Sequence, residues 1–327
     1  MSAPLVPADT LRVEAYTPTQ APAWNALIAN SANGPFLFAR PFLDYHQDRF
    51  TDHSWLVWQG PKLRAVFVAA VARTTSEPTT LVAHPGLAYG GLVTVPGVKY
   101  AETAAMLNLL RAAWQAAGFR HVLVRPVPRV FCRQFSDNQV FWLHQQGAEL
   151  SNRELNSVLD LTQPVRIGTW RRGNLRKARL HGVTVRLASN AEYEPYWELL
   201  TETLAEVHSR QPVHTLAEIS RLRNQNPGHL ELWGAWQSTE MVAGVLVFQD
   251  ERQGFAHTQY IAGSTQGKQV GGVDAVLARI IEEKATHYHR LSFGISTVQG
   301  TVNPGLLNQK EGFGATAELM ETYRLTL

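Results

Sequence analysis

The segment Gln266-Gly-Lys-Gln-Val-Gly-Gly272 brings three glycines, two amides and a cation to the head of a periodic apolar stretch. Val273, Val276, Leu277, Ile280 and Ile281 recur at i, i+3, i+4, i+7 and i+8, which predicts a core-facing helix near Gly272–Thr286. Glycines at a helix start let free backbone N–H groups come close to an anion, and the helix dipole favours negative charge there. Each such contact contributes about 0.3–1 kcal/mol, so several are needed, and a pyrophosphate offers them. Gln266, Gly267, Lys268, Gln269, Val270, Gly271 and Gly272 are therefore candidates for holding a phosphate-bearing ligand. The other reading is a glycine-containing turn with no ligand. The spacing fits neither a Walker loop, which ends in Gly-Lys-Ser/Thr, nor a dinucleotide fingerprint.

Other residues suit proton transfer or anion binding. His257 lies on the strand before that segment, and His208 and His214 bracket the passage leading to it. An imidazole titrating near neutrality suits a general base, although structural histidines are common. The His208…His214 spacing does not fit a His-x-x-x-His zinc pattern, and no carboxylate stands at a suitable offset, so no metal is expected. From Arg166 to Arg186 there are six arginines and Lys177, with no acidic residue. Arg171, Arg172 and Arg176 can bind a phosphate of a nucleotide-linked acceptor or of tRNA, or form a solvated basic helix. Tyr89 and Gly90, in His84-Pro-Gly-Leu-Ala-Tyr-Gly-Gly91, are candidates for a turn that orders an acceptor groove; a structural turn is the alternative.

The elements that position these residues come in two similar sets. Trp55-Leu-Val-Trp-Gln-Gly-Pro-Lys62 leads into an apolar strand, and Trp233-Gly-Ala-Trp-Gln-Ser-Thr-Glu240 does the same at a constant offset. Each reads as a β-hairpin. Each is followed by a strand (Thr80–His84; Phe255–Ala262), a glycine-bearing loop, a helix (Ala101–Ala117; Gly272–Thr286) and a short strand (His121–Arg125; Arg290–Ile295). Helices near Pro22–Ala29 and Tyr193–His208 precede the hairpins. This order predicts a duplicated mixed α/β (α+β) fold, with domains over 1–160 and 161–327. A chain of 327 residues with 45% apolar content is long enough for two cores. The single cysteine, Cys132, excludes an intrachain disulfide framework and fits a reducing compartment. No apolar run is long enough to span a membrane, and residues 1–10 do not read as a signal peptide, so a cytoplasmic location is expected. A net charge of +3 does not by itself imply nucleic-acid binding.

The Gln266–Gly272 segment resembles the acyl-CoA pyrophosphate loop of the GNAT superfamily, Gln/Arg-x-x-Gly-x-Gly/Ala, with Gln269 where the middle glycine is usual. Asn303-Pro-Gly-Leu-Leu-Asn-Gln-Lys-Glu-Gly-Phe-Gly314 resembles the Asn-led helix that ends in Gly-Phe in those enzymes. The Tyr that often protonates the departing thiolate is replaced by Asn308, leaving Lys310 or Tyr323 for that role. Across nearly the whole chain the sequence resembles the Fem-like branch, which carries two GNAT-type domains. The residues concerned are Phe42-Leu-Asp-Tyr-His46, His84–Gly91, Arg171-Arg-Gly-Asn-Leu-Arg-Lys177, Thr258-Gln-Tyr-Ile261 and Lys310-Glu-Gly-Phe-Gly314.

The resemblance implies acetyl-CoA or another acyl-CoA as co-substrate, held in the second domain. Gln259, Ile261, Gln266–Gly272 and Asn303 would contact it, and the acyl carbonyl would meet a backbone N–H near Gln259–Ala262. The first domain would take a structural and acceptor-side role. His257, Tyr260 and Lys310 are the catalytic candidates, and Tyr89, Gly90, Arg171, Arg172, Arg176 and His214 the acceptor candidates. The reaction implied is direct transfer to an amine of a bacterial cell-surface or cell-wall precursor, an amino sugar or peptide that is nucleotide- or lipid-linked. Two alternatives stay open. One is a Fem-type peptidyltransferase using aminoacyl-tRNA, against which the chain shows no sustained charged heptad run. The other is a catalytically silent GNAT-fold binding protein.

Overall fold

The computed structural model describes residues 11–208 and 211–327, and the side chains of Val207 and His208 lie outside what is described. The chain forms two units, one ending at Glu154 and taking back Leu319–Leu327, the other spanning Leu155–Glu318. Both boundaries fall inside strands.

The first unit contains β1 (Leu11–Ala15), α1 (Ala21–Asn30), α2 (Arg40–Leu43), β2 (Phe50–Asp52), β3 (Trp55–Gln59) and β4 (Lys62–Val68). It continues through β5 (Ala70–Ala72), β6 (Thr80–Val82), β7 (Gly91–Thr94), α3 (Tyr100–Ala116), β8 (His121–Val124) and α4 (Asn138–Gln145) into β9 (Glu149–Asp160). One sheet has the order β1-β3-β4-β7. A second series runs β8-β6-β5-β2, and the C-terminal strand joins it antiparallel to β8, with Leu325 opposite Val122. Leu325 is fully buried in the same core as Phe67, Leu110, Trp114 and Val122, which is why the chain end belongs to this unit.

The second unit contains α5 (Thr169–Leu180), β10 (Val183–Leu187), α6 (Tyr193–His208), α7 (Leu216–Gln225), β11 (Leu230–Gln237), β12 (Glu240–Asp250) and β13 (Phe255–Gly263). Then come α8 (Thr265–Val270), α9 (Gly272–Lys284), β14 (Arg290–Ile295), β15 (Thr297–Val298), β16 (Thr301–Val302), α10 (Pro304–Glu311) and β17 (Thr316–Thr326). The sheet order is β10-β11-β12-β13-β14-β9. α9 buries Val276, Leu277, Ile280 and Ile281 in one cluster with Val245, Val247, Leu291 and Phe313. Each such side chain contributes about 1.5–3 kcal/mol on burial, so this stripe alone fixes the helix on the sheet.

The duplication is visible in register. Both hairpins carry a bulge at the matching point, between Val57 and Trp58 and between Ala235 and Trp236. The bulges leave Arg64 and Val242 as the extra residues, and each of their carbonyls accepts the N–H of the residue that follows the next strand, Val95 at 3.1 Å and Ser264 at 3.0 Å. β1 lies against β3 as β10 lies against β11. These two antiparallel hairpins with equivalent neighbours give the mixed α/β architecture its repeat.

One expectation is corrected. The glycine-bearing stretch His84–Gly91 does not lie between a strand and a helix. Val68 faces Gly91 and Ala70 faces Val82, so residues 83–90 form an excursion within a single hairpin arm. The segment that precedes α3 is Val95–Lys99. Gly90 is required in the excursion because a Cβ there would lie 2.6 Å from the Ala83 carbonyl oxygen. No helix among the described residues is long and apolar enough to cross a membrane.

Candidate active site

The strands of the second unit open where chemistry is expected. β13 has a bulge, since Val247 faces Thr258 and Leu246 faces Tyr260, which leaves Gln259 as the extra residue. β13 and β14 run parallel and pair only from Phe255–Arg290 to His257–Ser292 among the described residues. Beyond that point the bulged strand parts from its neighbour. A parting of parallel strands leaves backbone N–H and C=O groups that a ligand can use.

The end of β13 borders a cavity of about 480 Å³. Ile261, Ala262 and Gly263 form one side, and Gly267, Lys268, Gly271, Val273 and Asp274 another. Arg171 and Asn174 of α5, Thr203 and Leu204 of α6, and Asn303, Leu306 and Gln309 of the α10 region complete it. Of the cofactor candidates, Ile261, Gly267, Lys268, Gly271 and Asn303 line this space, whereas Gln259, Gln266, Gln269, Val270 and Gly272 do not. The Asn303 side chain caps α10 by accepting the Leu306 N–H at 3.1 Å. Gln266 instead donates to Gln237 at 2.7 Å on the hairpin, Gln269 is exposed, and Val270 is buried.

The expected phosphate loop has a different conformation. Residues Thr265–Val270 coil into α8, capped by Ser264, whose Oγ accepts the Gly267 N–H at 3.0 Å. The Lys268 N–H goes to the Ser264 carbonyl and the Gly271 N–H to carbonyls of α8, so three amides of the segment are used internally. Gly271 has φ +79° and joins α8 to α9; a Cβ there would lie 2.5 Å from the Asn174 carbonyl oxygen. α5 therefore packs directly on this joint. Asp274 occupies the first turn of α9, with Arg171 Nη1 2.9 Å from its Oδ1 and Asn174 donating to its Oδ2. That carboxylate takes the favourable place at the helix N-terminus. The residues thus fit a phosphate through the Lys268 ammonium at the cavity edge, while the Asp274 carboxylate at the same wall opposes an anion on the first turn of α9.

The catalytic candidates lie near the parting strands and outside the cavity lining. His257, the last paired residue of β13, places Nδ1 3.0 Å from Ser292 Oγ, which reaches the buried Asn156 at 2.9 Å. Burial, helped by the nearby Lys310 charge, pushes its pKa down to about 4. Lys310 is 5% exposed and donates to the carbonyls of Gly294 at 2.9 Å and Ile295 at 2.6 Å, at the end of β14. Burial pushes its ammonium down to about 8. An ammonium has three N–H donors, so two fixed bonds leave one to give.

Tyr260 and His214 are brought together, with the phenol oxygen 2.7 Å from His214 Nδ1. Burial raises the Tyr260 pKa, which keeps the phenol protonated. Its own carbonyl accepts from the Tyr196 hydroxyl at 3.0 Å. Arg171 faces inward to Asp274, whereas Arg172 closes its own helix start through the Ile167 carbonyl and Thr169 Oγ1. Arg176 is exposed. Tyr89 and Gly90 belong to the first unit. Tyr89 is 6% exposed and stacks on Phe131 with centroids 4.6 Å apart, so the expected acceptor-groove turn is a packed excursion. Asp274 and Asn174 were missed from sequence; the only local signal was an acid in the first turn of a helix, and the partners of Asp274, Arg171 and Asn174, are 103 and 100 residues from it. No group of three or more His, Cys, Asp or Glu that could hold a metal occurs among the described residues.

No known family profile matches the sequence, and no curated protein matches it. Solved structures do. FemX superposes with a TM-score of 0.67 at 12% identity, covering 97% of both chains. The C-terminal domain of a putative lysylphosphatidylglycerol synthetase from Agrobacterium fabrum gives 0.56 at 11% identity, over 81% of this chain and 82% of that one. A tandem GNAT protein from the clavulanic acid biosynthesis pathway gives 0.54 at 11% identity, over 97% and 98%. The chain has the Fem-like tandem GNAT fold.

Proposed function

We propose that this chain is an acyltransferase that moves an activated acyl group onto an amine by direct attack, with the donor in the second unit. The observation that carries this is the parting of β13 from β14 beside a cavity of about 480 Å³ that holds Lys268 at its edge. In the reaction the amine nitrogen bonds to the acyl carbon and the bond to the carrier breaks. The amine loses a proton and the carrier gains one. Lys310, at about 8, is matched to proton transfer near neutrality, whereas His257, at about 4, is held neutral and is a weak base. Lys310 is therefore the group assigned to protonate the departing carrier, with neutral His257 and the protonated Tyr260 phenol, paired with His214, as hydrogen-bonding partners.

The donor of this proposal is an acyl-CoA, acetyl-CoA first, whose phosphates meet Lys268. The acceptor is an amine of a bacterial cell-surface or cell-wall precursor, an amino sugar or peptide, handled in the cytoplasm. The domains over 1–160 and 161–327 take acceptor-side and donor-side roles respectively. The shared fold supports acyl transfer, since one neighbour is a putative lysylphosphatidylglycerol synthetase domain and another is a tandem GNAT protein described without AcCoA. A second reading, aminoacyl-tRNA as donor, is favoured by one observation: the Asp274 carboxylate stands in the first turn of α9 at the cavity wall, where it opposes a CoA pyrophosphate.

Thermal unfolding with CoA, acetyl-CoA and longer acyl-CoAs separates the two. A ligand at a hundred times its dissociation constant stabilises by about 2.7 kcal/mol, and Lys268→Glu should remove that gain. No shift at millimolar acyl-CoA, together with transfer from aminoacyl-tRNA, replaces the first donor by the second. Failure of both donors with an amine panel refutes the acyl-transfer reading.

A further inference from the structure

The stretch from Arg166 to Arg186 holds seven of the chain's cations and no acid, while the whole chain carries only +3, so the remainder is net acidic. Arg166 precedes α5, and the fold sorts the other six cations into two groups. Arg171 is turned inward onto Asp274, and Arg186 is paired through both Nη atoms with Glu192. Arg172, Arg176, Lys177 and Arg179 stand on the exposed side of α5, and none of them pairs with a carboxylate among the described residues.

The same exposed side carries Trp170 at 76% exposure and Leu180 at 81%, the two most exposed large apolar side chains of the described residues. At about 100° per residue, Trp170, Lys177, Leu180, Arg176, Arg172 and Arg179 follow one another around about half of the helix circumference, with Trp170 at one edge and Arg179 at the other. The opposite side holds the buried Ala178 and the partly buried Leu175, which packs on the second core. α5 thus spends one face on the fold and leaves a basic, apolar-tipped face open. Polar, charged residues alone would make an ordinary solvated helix, but a Trp and a Leu left almost fully in water do not contribute to one.

We propose that the outward face of α5 docks the protein on an anionic membrane surface. Cations attract headgroup phosphates, and apolar tips among them enter the boundary between headgroups and acyl chains. The charge identifies an anionic partner, and Leu180 separates a bilayer from a nucleic acid, which offers an aliphatic tip nothing to enter. The inference stands without the acyl-transfer reading, because binding needs neither donor nor acceptor.

The test is co-sedimentation of the full chain with vesicles of equal parts phosphatidylglycerol and phosphatidylcholine, against phosphatidylcholine alone and against tRNA. The protein should bind the mixed vesicles and not the neutral ones. Replacing Arg176, Lys177 and Arg179 by Gln together should lower the affinity about 100-fold, at about five-fold per cation near an anionic surface. Trp170→Ser with Leu180→Ser should lower it about ten-fold or more at unchanged charge, with an unchanged Tm because both side chains are exposed. No binding to the mixed vesicles overturns the proposal. So does full vesicle affinity in the Trp170/Leu180 variant, or tight tRNA binding without vesicle binding.

Discussion

Asp274→Ala tests the joint that closes the α9 N-terminus. The Asp274 side chain is 7% exposed and that of Arg171 15%, with 2.9 Å between Oδ1 and Nη1. Asn174 supplies a further hydrogen bond to the same carboxylate. Removing one member of a buried pair costs about 3–5 kcal/mol, because the other is left charged and unpaired. Arg171 retains some solvent, so the lower end, about 3 kcal/mol, is expected. Losing a carboxylate from the first turn of a helix adds about 0.3–1 kcal/mol. For a unit of this size, a loss of about 3 kcal/mol lowers Tm by about 6–12 °C. Differential scanning calorimetry reads this in the transition of the second unit. The double variant Arg171→Met with Asp274→Leu should recover most of the loss, since a well-packed apolar pair replaces a buried ion pair at little cost. A loss under about 1 kcal/mol for Asp274→Ala, or a double variant no better than the single one, would refute the assignment of this pair as the anchor of α5 on α9.

Two pH effects follow from buried bases. With the Lys310 ammonium pushed down to about 8, activity that needs it as a proton donor should fall as pH rises through about 8, and Lys310→Arg should shift that limb out of the range; a limb near 8 that persists in the variant assigns it to another group. His84 and His257 are both held neutral, each pushed down from 6.5 to about 4 mainly by burial. The unfolded chain therefore binds more protons between those values, and stability, complete above about 6.5, should be lost as pH falls toward 4. Urea unfolding at pH 7 and pH 5 measures the loss, which His257→Gln should reduce; an equal loss in the variant would remove His257 from the account.

Much of the fold was legible because it rests on periodicity. The α9 stripe from Val273 to Ile281 gave its helix to within two residues, the two tryptophan hairpins gave element type and order to within about three, and Arg290–Ile295 was placed at its observed limits. What misled was glycine. His84–Gly91 read as a loop set apart from its helix by Pro96 and Gly97, and Gln266–Gly272 as a loop opening a helix, yet one interrupts a hairpin arm and the other coils into α8. The local signal that was overlooked is Ser264, whose hydroxyl caps α8 three residues before Gly267.

The candidate site divides in the same way. Local sequence placed Gly267, Lys268 and Gly271 at the start of a helix, and the family resemblance placed Lys310 in an Asn-led helix after β14. Sequence could not show that Lys310 reaches back to the Gly294 and Ile295 carbonyls, or that His257 ends the pairing of β13 with β14. By itself, then, the sequence determined the repeated α/β elements and the concentration of cations in α5, since both depend on residues close together in the chain. Only the tertiary structure decided that Arg171 and Asn174 seal α9 through Asp274, that the strands part at Gln259, and that Leu325 returns to the first core. Each of these joins residues far apart in the chain, and no local preference encodes which distant partner satisfies a buried charge, a bulge or an apolar face.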